Sequence, residues 1–181
     1  IPIAEFKETR HHVKIVETPW ERLIVKGKPH THAFHNLQPY VHVCQAYASR
    51  DGELKVSSGI DKLQVLKTTQ SGFTDFVRDR YTTLPETKDR MMKTTITSSW
   101  NYTAKAIASI KQGNVPQFNN IFTMVKDTMI EEFAGEPVKG TYSPSVQQTL
   151  YDMGTRVLNA EAAIESISIT MPNQHNIMFD L

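Results

Sequence analysis

The sequence predicts an α+β domain in which strands come first along the chain, two helices follow, and one more strand completes the order. Two observations support this prediction. Apolar and polar residues alternate, with many β-branched side chains, in short segments through the first hundred residues. Apolar residues then recur at spacings of three and four in two later segments, which is the period of one helix face.

The strands follow from this alternation and from the turn residues between the segments. Asp51-Gly52 is a strong hairpin signal, so the segments before and after it should pair antiparallel. Pro19 interrupts the first strand. The predicted strands cover residues 11–25, 30–35, 41–44, 53–56, 63–67, 94–100 and 164–171. The sheet therefore has four or more antiparallel strands.

The first helix is the clearest element of the sequence. Asn114 ahead of Pro116 is a plausible start, because a polar cap and an early proline are both tolerated there. Gly135 is placed to end the helix. Its apolar face contains Phe118, Ile121, Phe122, Val125, Met129 and Phe133.

The second helix should begin at Ser143 as the N-cap, with Pro144 in the first helical position. Its apolar side contains Val146, Leu150, Met153 and Val157. Two helices across one face of the sheet would bury both apolar stripes. The opposite face of the sheet would then be left for water or another subunit.

The charge balance argues against the strong fields that attract nucleic acid or anionic membranes. There are 20 Lys and Arg against 19 Asp and Glu, and the formal net charge is +1, so neither partner is predicted. Cys44 is the only cysteine, which excludes an internal disulfide and favours an intracellular compartment. Ile1 in place of an initiator Met, without a signal peptide, predicts a fragment.

Three histidines are spaced like metal ligands. On a strand, His30 and His32 share a face while His35 points away, and no nearby Cys pair or carboxylate completes a tetrahedral site. The pattern therefore favours histidines on the surface or on the sheet face, and we predict no metal.

Three other places could carry chemistry. Residues 82–90 are polar and end in Arg90, although an arginine in a loop is usually solvated. The start of the second helix is a potential anion site, because its first N–H groups lack partners within the helix and the dipole is positive there. Residues 172–175 form either a catalytic polar pair or an ordinary turn.

Four segments together resemble urate oxidase, in the order and spacing of that family. They are residues 65–73, 81–90, 143–147 and 172–175, which read VLKTTQSGF, YTTLPETKDR, SPSVQ and PNQH. Residues 29–34 and 57–60 extend the likeness, which then covers nearly the whole chain. The chain is thus similar to the C-terminal half of the family.

This resemblance implies the tunnelling fold, whose domain is an antiparallel four-stranded sheet with two helices on one face. A full-length chain has two such domains, and residues 1–181 would be the second. The family works as a homotetramer with active sites at subunit interfaces. The implied reaction is oxidation of urate by O₂ to 5-hydroxyisourate and hydrogen peroxide, without a metal or organic cofactor.

The resemblance also implies substrate-binding roles for five residues. Arg90 would contact the anionic purine, and Gln147 would pair with its opposite polar edge. Phe73 would stack on the ring, and the backbone N–H of Val146 would donate to it. Leu84 would line the pocket.

Two further residues receive catalytic roles from the resemblance. Asn173 would hold O₂ or water above the ring, and His175 would join a proton relay. A Lys, a Thr and a neighbouring Asp of the relay belong to the family's upstream domain, and their positions are absent from this sequence. We therefore expect the isolated chain to be inactive.

The family's C-terminal tail, with the peroxisomal signal of eukaryotic members, is also absent after Leu181. The sequence of residues 67–72 is more similar to that of eukaryotic members, which favours the peroxisome. A bacterial member would be cytoplasmic. Two alternatives stay open. One is a related metal-dependent enzyme acting on pterins or GTP, and the other is a non-catalytic homologue that serves as a binding or assembly module.

Overall fold

The chain forms an antiparallel β-sheet with helices packed against it. The computed structural model describes residues 10–17, 20–25, 28–36, 40–135 and 139–174. The elements in order are β1 (Arg10–Glu17), β2 (Trp20–Val25), β3 (Lys28–Asn36), β4 (Val41–Ser49), β5 (Leu54–Lys67), β6 (Met92–Tyr102), α1 (Ala104–Lys111), α2 (Phe118–Ala134), α3 (Val146–Ala160) and β7 (Ile164–Thr170).

The main sheet has five antiparallel strands in the order β1-β4-β5-β6-β7, while β2 and β3 form a separate two-stranded sheet. The predicted α+β class is confirmed, but the main sheet has one strand more than the four that the resemblance implied. Pro19, where we predicted an interruption, lies outside the described residues, and the strands before and after it belong to different sheets. The long strand predicted over residues 11–25 is therefore corrected to β1 and β2.

Strand β5 is longer than predicted. It joins the two segments 53–56 and 63–67 into one strand, with a register shift against β6 between Ile60 and Leu63. Lys62 has a φ of 64° at this irregularity, which is the backbone signature of an inserted residue. The hairpin before β5 is confirmed, because the Gly52 N–H donates to the Ser49 carbonyl at 3.1 Å.

The first predicted helix is α2, and its end at Gly135 is confirmed by a φ of 76° there. Its N-cap is Gln117, so the start predicted at Asn114 and Pro116 lies a few residues too early. The predicted pair of helices missed α1, an eight-residue helix capped by the Thr103 hydroxyl. Ala106 is buried and Ile107 and Ile110 pack against the core, but this apolar pattern covers only two turns and is too short to stand out in the sequence.

The second predicted helix is α3, and its N-cap is Ser145 rather than Ser143. The hydroxyl of Ser145 accepts the Gln148 N–H at 3.1 Å. Ser143 cannot begin the helix because its backbone N–H and carbonyl are paired with another segment, residues 70–72. Val146 and Gln147 are the first two residues of α3 and lie in its first turn.

The core lies between one face of the sheet and the helices α2 and α3. On β6 the buried side chains alternate strictly, from Met92 to Tyr102, and Ile96 and Trp100 are completely buried. Burying one such large side chain stabilises the fold by about 1.5–3 kcal/mol. Residues of β6 that point to the other face are polar: Lys93, Thr95, Thr97, Ser99 and Asn101. In the parts of the chain that are described, no helix is both long and apolar enough to cross a membrane.

Candidate active site

Three segments that are distant in sequence meet where β5 ends and β6 begins. The Arg90 N–H donates to the Ser71 carbonyl at 2.9 Å. Ser143 donates its N–H to the Gln70 carbonyl at 2.9 Å, and its carbonyl accepts the Gly72 N–H at 2.9 Å. These backbone bonds hold three parts of the chain against one another: the segment from β5 to Phe73, the turn that ends at Arg90, and the start of α3.

The fourth segment of interest, residues 172–174, joins the same end of the sheet. The Thr94 hydroxyl donates to the Pro172 carbonyl at 2.9 Å, and the Gln174 N–H donates to the Lys93 carbonyl at 3.3 Å. Asn173 lies between these two contacts and is exposed. His175 lies outside the described residues.

Arg90 is held by backbone on one side and by an aromatic ring on the other. Its Nε donates to the Gly72 carbonyl at 3.1 Å, and its guanidinium carbon lies 5.2 Å from the centre of the Phe73 ring. Burial lowers the pKa of Arg90, and the nearby Tyr142 partly offsets this. The group stays charged at neutral pH, as arginines in proteins do. Among the described residues, no carboxylate forms a salt bridge with Arg90.

Phe73 is fixed by its backbone and by a second ring. Its N–H and carbonyl exchange hydrogen bonds of 2.8 and 3.0 Å with Thr87. The Phe76 ring stacks on it with ring centres 4.3 Å apart and planes 21° apart. The Phe73–Thr87 pairing closes a loop that contains Leu84, whose side chain is 53% exposed. Phe76 therefore supports one face of Phe73, while Leu84 makes little packing contact within this chain.

The first turn of α3 presents backbone donors at the same place. Ser145 caps the Gln148 N–H, so the cap leaves the N–H groups of Val146 and Gln147 available. The Val146 side chain is buried and anchors the turn, while the Gln147 side chain is exposed. The positive end of the helix dipole adds to the charge of Arg90.

Sequence reasoning missed three residues that shape this site: Lys67, Gly72 and Tyr142. The Tyr142 hydroxyl donates to the Lys88 carbonyl at 3.2 Å and lies against Gly72, where an added Cβ would overlap it. Gly72 is thus needed for close approach, and its carbonyl holds Arg90. The sequence signal for Lys67 is weak, because it is one charged residue at the end of an apolar strand.

The arrangement suits a planar, anionic ligand. A guanidinium supplies charge and parallel donors, helix N–H groups supply further donors, and a supported aromatic ring supplies a stacking surface. Where side chains are described, no group of three His, Cys, Asp or Glu residues could hold a metal ion. His30, His32 and His35 lie on β3 as predicted, but their side chains lie outside the described part.

Comparison with known proteins identifies close relatives. A model of the uricase family matches residues 56–181. The chain is 46% identical to a uricase of Arabidopsis thaliana over 169 residues, which cover 93% of this chain and 54% of the relative. It is 41% identical to a uricase of Oryctolagus cuniculus over 172 residues, which cover 95% and 55%. The chain therefore spans about half the length of the curated relatives it matches.

Solved structures agree with this result. The crystal structure of a uricase from Arthrobacter globiformis superimposes with a TM-score of 0.78 at 31% identity, over 95% of this chain and 53% of that one. The fold is therefore that of a uricase tunnelling-fold domain, as the sequence predicted.

Proposed function

Since this chain belongs to the uricase family, we propose that it is the C-terminal half of a urate oxidase. It would bind urate at the site formed by Phe73, Arg90 and the first turn of α3. An N-terminal domain of the same enzyme would complete that site across an interface. The observation that carries the proposal is the guanidinium of Arg90, which lies beside Phe73 without a carboxylate partner among the described residues.

The proposed reaction converts urate, O₂ and water to 5-hydroxyisourate and hydrogen peroxide. Two electrons leave the purine and reduce O₂ to peroxide, and water supplies the new hydroxyl group. The electron-rich urate anion reacts with oxygen directly, so the protein would supply position, charge and proton transfer rather than a cofactor.

The geometry supports the substrate-binding roles in the following way. The purine would stack on Phe73, whose ring is supported by Phe76 and lies 5.2 Å from the Arg90 guanidinium. Arg90 would bind one polar edge of the ring, and the Val146 N–H with the Gln147 amide would bind another. Leu84, exposed in this chain, would line the pocket once a second domain closes it.

The catalytic roles are proposals for the end of β7. Asn173 would hold O₂ or water above the purine, and its exposed position next to the Gln174–Lys93 contact is compatible with that role. His175 would pass protons between the ring and the Lys and Thr of the N-terminal domain. A homotetramer is part of the proposal, because the relay groups would come from another domain or subunit. A peroxisomal location is proposed as well, from the resemblance of residues 67–72 to eukaryotic members of the family.

The test has two steps. The mass of every polypeptide in the purified sample is measured under denaturing conditions, and the same sample is then assayed for consumption of urate. We expect urate loss with equimolar hydrogen peroxide only when a polypeptide carrying the N-terminal domain is present. Activity from the 181-residue chain alone would show that the N-terminal domain is dispensable. No activity with both halves present would contradict the proposed function.

A further inference from the structure

The ammonium group of Lys67 joins three parts of the molecule at the end of β5. Its Nζ donates to the Phe133 carbonyl at 3.1 Å, to the Thr141 carbonyl at 2.9 Å and to the Ser143 hydroxyl at 2.6 Å. The same group lies 5.3 Å from the centre of the Phe133 ring. An ammonium has three N–H donors, so every donor of Lys67 has an acceptor within the chain.

One of these contacts, to Phe133, completes the end of α2, and another, to Thr141, holds the segment that follows the helix. The last carbonyls of a helix lack partners within the helix and carry the negative end of its dipole. The last turn of α2 contains no basic residue of its own. Lys67 supplies the missing cation and donors from β5, and it anchors residue 141 beside the helix end.

The third contact reaches the site. Ser143 is buried, and its hydroxyl accepts from Lys67 while its backbone pairs with Gln70 and Gly72. Ser145, two residues later, caps α3. The position of Ser143 therefore sets where the first turn of α3 lies relative to Phe73 and Arg90.

We infer that Lys67 is a positioning residue of the urate site, acting through Ser143 on the Val146 and Gln147 donors. The inference deepens the proposed function and rests on it for the identity of the ligand. Lys67 itself would not exchange protons with the substrate, because all three of its N–H groups are engaged by acceptors from Phe133, Thr141 and Ser143. Partial burial also lowers the pKa of Lys67.

The test compares four variants of the protein together with its N-terminal half. Lys67→Met keeps the length of the side chain and removes its donors, and Lys67→Arg restores charge and donors. Ser143→Ala removes only the contact toward α3. Lys105→Met, on an exposed position of α1 at the other end of the sheet, is the matched control.

We expect Lys67→Met to raise the KM for urate about tenfold while kcat falls less than about threefold, because ground-state and transition-state contacts are lost alike. Ser143→Ala should raise KM by about threefold, as for one hydrogen bond. Lys67→Arg should recover part of the loss, and Lys105→Met should change nothing. The double variant Lys67→Met with Ser143→Ala should be no worse than Lys67→Met alone.

A second readout does not depend on urate. Hydrogen exchange at the Gly72 and Ser143 amides should be faster in Lys67→Met than in the wild type, while exchange in β6 stays unchanged. An unchanged KM in an active enzyme would overturn the positioning role, even if exchange were faster. If the wild type did not consume urate, the proposed function would fail, and exchange alone would decide whether Lys67 holds Ser143.

Discussion

The two ends of β6 use polar groups in opposite ways. At the Tyr102 end, the polar groups of Ser58, Trp100 and Tyr102 are buried and hydrogen-bond to one another. The Ser58 and Tyr102 hydroxyls lie 3.0 Å apart, and the Trp100 Nε1–H donates to Tyr102 at 3.2 Å. At the Met92 end, Arg90 and the first turn of α3 are held in place, but donors remain available.

One sheet thus keeps the residues that stabilise the fold apart from those that could bind a ligand. Buried polar groups cost free energy unless they are paired, so the Tyr102 end forms a closed network under the helices. At the Met92 end, backbone bonds between segments do the holding, and this leaves side-chain and helix donors free to meet a ligand. Substitutions at the Tyr102 end should therefore lower the free energy of unfolding. Substitutions at the Met92 end should instead change the kinetic constants for urate.

The largest effect is expected for Trp100→Ala. Trp100 is completely buried and lies 6.4 Å from Phe122 between ring centres, so its removal leaves a large cavity. The free energy of unfolding should fall by about 3–5 kcal/mol, as for other buried aromatic residues. Denaturant unfolding followed by circular dichroism measures this change.

The proposed urate site lies roughly 25–30 Å along β6 from Trp100, by the rise of about 3.3 Å per residue in a strand. The folded fraction of this variant should therefore keep the wild-type KM. A raised KM at a temperature where the variant is fully folded would contradict the separation of the two ends.

A smaller effect, of the opposite kind, is expected for Arg90→Ala. Loss of a charge-assisted, bidentate contact should lower kcat/KM for urate by about 100-fold. The free energy of unfolding should change by less than about 1 kcal/mol, because the guanidinium is only partly buried. Steady-state kinetics and denaturant unfolding measure both quantities.

Arg156→Ala is the matched control for Arg90→Ala. Arg156 bridges Glu131 and Glu132 on the surface between α2 and α3, at 2.6 and 3.4 Å. Exposed ion pairs contribute about 0–1 kcal/mol, so this variant should keep wild-type kinetics. Similar kcat/KM values for the two variants would remove Arg90 from the proposed site.

The smallest effect is expected for Tyr102→Phe, which should cost about 1 kcal/mol for the lost hydrogen bonds. Burial is the main cause that raises the pKa of Tyr102, while hydrogen bonds from Ser58 and Trp100 work against it. A phenol whose pKa is raised on folding contributes stability fully below the ordinary tyrosine pKa of about 10. That contribution is lost as the pH rises through and above this value.

Unfolding measured from pH 8 to 11 should therefore show a steeper alkaline loss of stability in the wild type than in Tyr102→Phe. Tyr151→Phe is the control, because Tyr151 is 68% exposed and should leave the wild-type profile unchanged. If stability falls equally with pH in the wild type and in Tyr102→Phe, the Tyr102 phenol does not titrate as a buried group.

Much of the fold could be predicted because local periodicity and turn chemistry agree with the tertiary structure. The apolar face of α2 and its end at Gly135 were predicted correctly, as was the hairpin at Gly52. α1 was missed because it buries little, and the true cap of α3 was missed because Ser143 and Ser145 are both acceptable caps by sequence.

For the candidate site, the residues were identified by resemblance, and the sequence could not show how they meet. Arg90 alone is an ordinary loop arginine, and the Gly72 carbonyl that holds it has no sequence signal. Lys67 is equally unremarkable until its three acceptors, from two different segments, are seen together.

The sequence by itself determined the class of fold, the apolar faces and the family, because these depend on the order and spacing of residue types. Only the tertiary structure decided that Ser143 pairs with residues 70–72 instead of capping α3. Ser143 makes two backbone hydrogen bonds and accepts one from Lys67, and together these stabilise the fold more than a single N-cap hydrogen bond would. Ser145 caps the helix instead. That choice places the first turn of α3 beside Phe73 and Arg90.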